Sequence, residues 1–352
     1  MQKILIVCGI VLVLLSACSK TGVNPTSTPT PPIPTPVIAP PPAFGFYVVG
    51  YIPSYRTPSA IADVKYKMCN VINYAFASVT ASGGLSLAVP ANLTAIQAKA
   101  KSFGAKTFIS INGAVTDWKN MSAAGSGRTA FISQVMNLVR SYQLDGVDID
   151  WEYPSTTDGT DATYTSLIKE LSDSCHSGSK YYLSTALTSG KYVGSYTNAI
   201  KDEILKGNYV DFFNIMAYDD FNTTVPYKQH SDYTLSQVCL NYWITTRGTP
   251  AAKTVLGCPA YGRPSGITQT NTVLTYGGIL SQGGSSVSDS AIVTGGGFTN
   301  YTIYYNGQYT IKKKAMLAKA QANGIMFWEL GQDTNDNNSL IKAACDTLQR
   351  TY

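Results

Sequence analysis

This sequence predicts an α/β fold, a single (β/α)8 barrel of eight parallel strands each followed by a helix, and two patterns carry that expectation. Short runs rich in β-branched and aromatic residues recur eight times from Phe46 onward. Between them lie segments whose apolar residues repeat at helical spacing. Regular alternation of the two along residues 46–352 suits one closed barrel. A doubly wound open sheet is the competing arrangement, and the lack of a glycine-rich phosphate-binding turn after the first run counts against it.

The β-rich runs are, in order, 47–51, 71–76, 107–111, 146–151, 181–185, 210–216, 254–257 and 324–328. Helical stripes are read from Phe131, Val135, Leu138, Val139 and Tyr142, from Tyr164, Leu167, Ile168, Leu171 and Cys175, and from Leu235, Val238, Cys239 and Tyr242. The connection over 264–311 is long and holds three glycine clusters. Within it, residues 303–309 read as a hairpin around Asn306-Gly307. That length is too short for a separate domain besides a barrel helix, so no large insertion domain is expected.

The first residues read as an address. Lys3 precedes an apolar run from Ile4 to Leu15, long enough for a signal-peptide core and short for a membrane span. Leu15-Ser16-Ala17-Cys18 resembles a bacterial lipobox. The expectation is a lipoprotein signal peptide over residues 1–17, lipid on Cys18, and export with anchoring to a bacterial membrane, at the outer membrane or cell surface. Ordinary secretion with cleavage near Ala17 is the alternative. Residues 18–45 carry nine of the chain's 17 prolines among Thr and Ser, the composition of a semi-stiff spacer.

Composition narrows the function classes. Lys plus Arg number 26 and Asp plus Glu 21, and a net charge of +5 on 352 residues is too dilute for a nucleic-acid partner. Charged residues are 13% and apolar residues 44%, which excludes disorder over the whole length. His176 and His230 are the only histidines, so a His-rich metal site is excluded. Beyond Cys8 and Cys18, the five cysteines Cys69, Cys175, Cys239, Cys258 and Cys345 match neither a zinc pattern nor a disulfide framework. Buried thiols are the simplest reading, with one bridge left open.

The fourth run carries the chemistry. Asp148, Asp150 and Glu152 alternate with Val147, Ile149 and Trp151, so a strand sends the acids to one face and the apolar residues to the other. With the apolar set packed beneath helices, the acids face the barrel interior near its carboxyl end. Close carboxyls raise one another's proton affinity and keep one proton near neutral pH, as a general acid requires. A hard-metal site, a solvated acidic edge and a structural polar network remain alternatives. A Ser-His nucleophile lacks a supporting motif.

Asp145-x-x-Asp148-x-Asp150-x-Glu152, with Gly146 and Trp151 inside it, resembles the signature of glycoside hydrolase family 18, the chitinases and their relatives. Further pieces follow in order: 50–54, 73–77, 110–113, 214–219, 257–263 and 324–330. One departure is Asn112, where the family usually has Gly. The resemblance implies substrate-assisted, retaining hydrolysis without a second carboxylate or a cofactor. It assigns Glu152 as proton donor, Asp150 as orienter of the 2-acetamido group, Asp148 as its support, and Tyr218 as a contact to that group. Trp328 would floor the site, with Met216, Asp219, Tyr51, Phe76, Tyr261 and Arg263 lining it. The expected partner is chitin or another N-acetylglucosamine oligosaccharide, cut internally by a monomer. Endo-β-N-acetylglucosaminidase action on N-glycans and chitin binding by a non-catalytic lectin are the alternatives.

Overall fold

A computed structural model describes residues 38–222, 224–265 and 273–352. The signal segment, Cys18 and most of the proline-rich stretch lie outside the described residues.

Eight parallel strands close into a TIM barrel: Tyr47–Pro53, Val71–Val79, Lys106–Asn112, Gly146–Ile149, Tyr182–Leu187, Phe212–Ile215, Thr254–Pro259 and Gly324–Trp328. Each pairs with its successor, and the eighth pairs with the first, Tyr47 opposite Gly324. All eight expected strands are present, with bounds shifted by a few residues. The helical stripes are likewise helices, at Gly125–Ser141, Thr160–His176 and Tyr233–Leu240.

The barrel wall separates two cores. Outside it, Val147, Ile149 and Trp151 face the helices as the alternation requires. Trp151 stacks on Trp118 with centroids 5.0 Å apart, and Tyr164 meets it edge-on. Such pairs contribute roughly 0.5–1.5 kcal/mol beyond area burial, so they anchor the strand whose opposite face carries the acids. Inside, the amino end of the barrel is filled by Tyr47, Phe108 and Phe212. Phe44 seals that end against Tyr182, whose hydroxyl donates to the Pro42 carbonyl at 2.9 Å. The Ala39 N–H donates to the His176 carbonyl at 3.1 Å, so residues 38–45 are tied to the barrel. With that end plugged by rings, a ligand can enter only from the carboxyl end.

The 264–311 connection departs from the sequence reading in one respect. No large domain is inserted, but a small four-stranded antiparallel sheet forms from Tyr261–Pro264, Leu274–Thr275, Ser290–Gly295 and Phe298–Tyr304. The hairpin expected around Asn306-Gly307 is not there: its turn is Gly296-Gly297, both at positive φ. Gly307 instead caps the helix Gln308–Gln321. Asn306 is buried, where its amide donates to the Ser231 carbonyl and accepts from Lys314. The five described cysteines are free and buried.

Candidate active site

A cavity of about 360 Å³ opens at the carboxyl ends of the strands. Its position follows from barrel geometry, since the loops leaving those ends surround the one open mouth. Asp150, Glu152, Tyr218, Trp328, Met216, Asp219, Tyr51, Phe76 and Tyr261 all line it. Asp148 lies beneath the lining, fully buried, and Arg263 stands behind Asp219. The structure thus brings together every site residue read from the barrel sequence.

Register explains the support under the acids. Ser110 and Ser184 lie directly opposite Asp148 on the two flanking strands. Their hydroxyls donate to it at 2.7 and 2.6 Å, the Tyr51 hydroxyl donates at 2.8 Å, and the Asn214 amide reaches it at 3.4 Å. Burial raises the proton affinity of Asp148, and these four donors oppose it. Occupied on both oxygens, Asp148 acts as a fixed acceptor at the centre of the barrel.

Asp150 is different. One of its oxygens, Oδ1, is buried without a hydrogen-bond partner. Burial, then the charges of Glu152 and Asp148, pushes it well above the usual carboxylate range. Glu152 reaches the open mouth, yet the walls around it thin its hydration and raise its proton affinity as well. The two therefore hold a proton between them at pH values where an ordinary carboxylate has lost it.

The opposite wall is set the other way. Asp219, just past the sixth strand, takes two hydrogen bonds from the Arg263 guanidinium at 2.7 and 2.8 Å and one from the Tyr261 hydroxyl at 2.7 Å. Burial works against its charge, but His230 and Arg263 overcome it and hold the carboxyl well below its ordinary value. His230 is wholly buried and loses proton affinity for that reason. Beside it, Asp220 accepts from Lys191, Lys228 and the Tyr192 hydroxyl, the last at 2.7 Å. The floor is aromatic: Phe76 stacks on Trp328 at 5.6 Å, and Tyr51 tilts against the same indole at 5.4 Å.

Sequence reading passed over several of these groups. Ser184 carries no local signal, because its role arises from register with a strand 36 positions away. Ser110 and Asn214 stood inside quoted motifs without a role. His230, Asp220, Tyr153 and Tyr192 sit on loops where no periodicity singles them out. Among the described residues no group of three or more His, Cys, Asp or Glu could hold a metal ion.

The arrangement can donate a proton to a leaving group from Glu152 over an aromatic floor, beside an unpartnered carboxyl oxygen. Comparisons with known proteins point the same way. The chain is 26% identical to a class V chitinase of Arabidopsis thaliana over 70% of its own length and 74% of the relative's. It is 28% identical to chitinase A1 of Niallia circulans over 65% of its length, which is 41% of that longer relative. Among solved structures, a chitinase from the chitin utilization locus of Flavobacterium johnsoniae superposes with a TM-score of 0.69 at 28% identity, covering 86% of this chain and 94% of that one. A chitinase from Bacteroides thetaiotaomicron gives 0.73 at 25%, over 86% and 96%. The family model for glycosyl hydrolases family 18 matches residues 47–333, the span of all eight barrel strands and the acids, and the chain belongs to that family of glycoside hydrolases.

Proposed function

We propose that the protein is an endo-acting chitinase, cleaving β-1,4 links between N-acetylglucosamine units with retention. The observation that carries this reading is the Asp150–Glu152 pair, with Asp219 and Asp220 on the opposite wall committed to cations and one Asp150 oxygen left without a hydrogen-bond partner. A pyranose would lie on Trp328 and Phe76, burying its apolar face against the rings. Glu152 gives its proton to the glycosidic oxygen as the C1–O bond breaks. The substrate's own acetamido oxygen forms a bond to C1, and Asp150 accepts from the amide N–H as positive charge develops there. Glu152, now ionised, takes a proton from water, which opens the oxazolinium at C1 on its original face. Tyr218 serves as a further donor to the acetamido oxygen.

Internal cutting is supported by the modest wall. The small sheet rises beside the cavity from Tyr261–Pro264 and is the one sheet outside the barrel among the described residues. A groove walled in that way releases a polymer after each cut. Relatives named as chitinases make chitin the first substrate to test.

The test is digestion of chitooligosaccharides, soluble chitin polymer and a high-mannose glycopeptide by the purified domain, with products read by mass. Mixed-length oligomers at early times are expected. Cleavage of the glycopeptide alone would indicate N-glycan action, and binding without cleavage a lectin. We further propose that Cys18 is acylated and tethers this monomer to a bacterial membrane. Labelled fatty acid should enter the wild type and be lost in Cys18→Ala.

A further inference from the structure

The third and fourth barrel strands repeat one pairing at two levels. At the lower level Ser110 lies opposite Asp148 and donates to it at 2.7 Å. Two residues further along each strand stand Asn112 and Asp150, on the same inward face, both lining the cavity. The Asp150 N–H donates to the Ile111 carbonyl at 2.9 Å, which carries the ladder up to this level and keeps the two side chains adjacent. The Asn112 Oδ1 accepts from the N–H of Gly113. That bond fixes which end of the amide is which, and leaves the NH2 group beside Asp150 with no other acceptor among the described residues.

The other groups around Asp150 cannot take this place. Asp148 and Glu152 on its own strand are carboxyls that repel its charge. The Tyr51 hydroxyl, from the first strand, is committed to Asp148. Tyr218 past the sixth strand and Tyr153 beside Glu152 are the remaining titratable neighbours. Asn112 is the neutral donor fixed on the third strand, at the position where the resembled family usually has Gly.

We propose that Asn112 is a positioning residue for Asp150, its NH2 group steadying the carboxyl beside the substrate amide so that the proton shared with Glu152 is directed onto Glu152. This rests on the substrate-assisted reading of the site. The productive form has Asp150 ionised and Glu152 protonated, and a hydrogen bond donated to ionised Asp150 favours it. Without the donor, the proton stays on Asp150. Plateau kcat then falls, while the alkaline limb, which reports loss of the last shared proton, moves to higher pH because the doubly ionised pair has lost the same support.

The experiment compares wild type, Asn112→Ala and Asn112→Ser by pH–kcat profiles on a chitooligosaccharide and by carbon NMR titration of the Asp150 carboxyl in the free protein. For Asn112→Ala we expect plateau kcat roughly tenfold lower, with the limb and the Asp150 titration both raised by up to about one pH unit. Asn112→Ser should recover most of both, since Ser110 already shows that a serine in this register reaches its neighbour's carboxylate. A fallen plateau on an unmoved limb with an unchanged Asp150 titration would overturn the proposal, as would wild-type behaviour of Asn112→Ala. If the wild type cleaves no N-acetylglucosamine glycan, the functional reading fails, and the titration in the free protein still decides the role of Asn112.

Discussion

Two sets of carboxylates face one cavity, and their neighbours set them to opposite ends of the titration range. On the fourth strand, burial raises the proton affinity of Asp150 and Glu152, and the charge of Glu152 raises that of Asp150 further. Past the sixth strand, Asp219 and Asp220 are met by Arg263, His230, Lys191 and Lys228, and both stay ionised below the usual range. The functional group is the same and the separation is a cavity's width. What differs is the partners that the surrounding strands and loops supply, so protonation in this site is a property of the fold.

The largest break of that contrast is removal of the proton. Glu152→Gln keeps shape and reach but cannot donate, and turnover should fall by at least ~10² with oligosaccharide binding retained, as read by steady-state kinetics beside calorimetry. A smaller break is Arg263→Ala, which takes both guanidinium bonds from Asp219. Here kcat/KM should drop roughly tenfold. The sign of the pH effect follows from the depressed carboxyl. Asp219 is now ionised down to low pH, and without Arg263 its affinity for a proton rises, so its carboxyl should titrate at higher pH by carbon NMR. The alkaline limb of the pH–rate profile, set by the Asp150–Glu152 pair, should stay. Smallest is Lys191→Ala, because Lys228 and Tyr192 still hold Asp220. The expected loss is about twofold, in line with the modest worth of a half-exposed ion pair.

Much of this was legible in the sequence, and for physical reasons. A parallel strand buried on both faces reads as a short apolar run, and all eight runs became strands. The alternation of Asp148, Asp150 and Glu152 with Val147, Ile149 and Trp151 gave the face of each acid before any coordinate. Non-local partners were illegible. Nothing near Ser184 announces that it bonds Asp148, and nothing near Gln229-His230-Ser231 announces the buried Lys314, whose ammonium is held by Ser231 and Asn306. The small sheet was missed because its strands are partly exposed and glycine-punctuated. Asn306-Gly307 misled because the same dipeptide that turns a hairpin can also begin a helix when its side chain has a buried partner.

The most direct measurement is proton NMR of product formed within the first turnovers of a chitooligosaccharide by the wild type. Substrate assistance by the acetamido group, with Glu152 acting first as acid and then as base, predicts that the new reducing end appears as the β-anomer and that fully deacetylated oligosaccharide gives no product. Fresh product in the α-configuration, or cleavage of the deacetylated chain at a comparable rate, would contradict it.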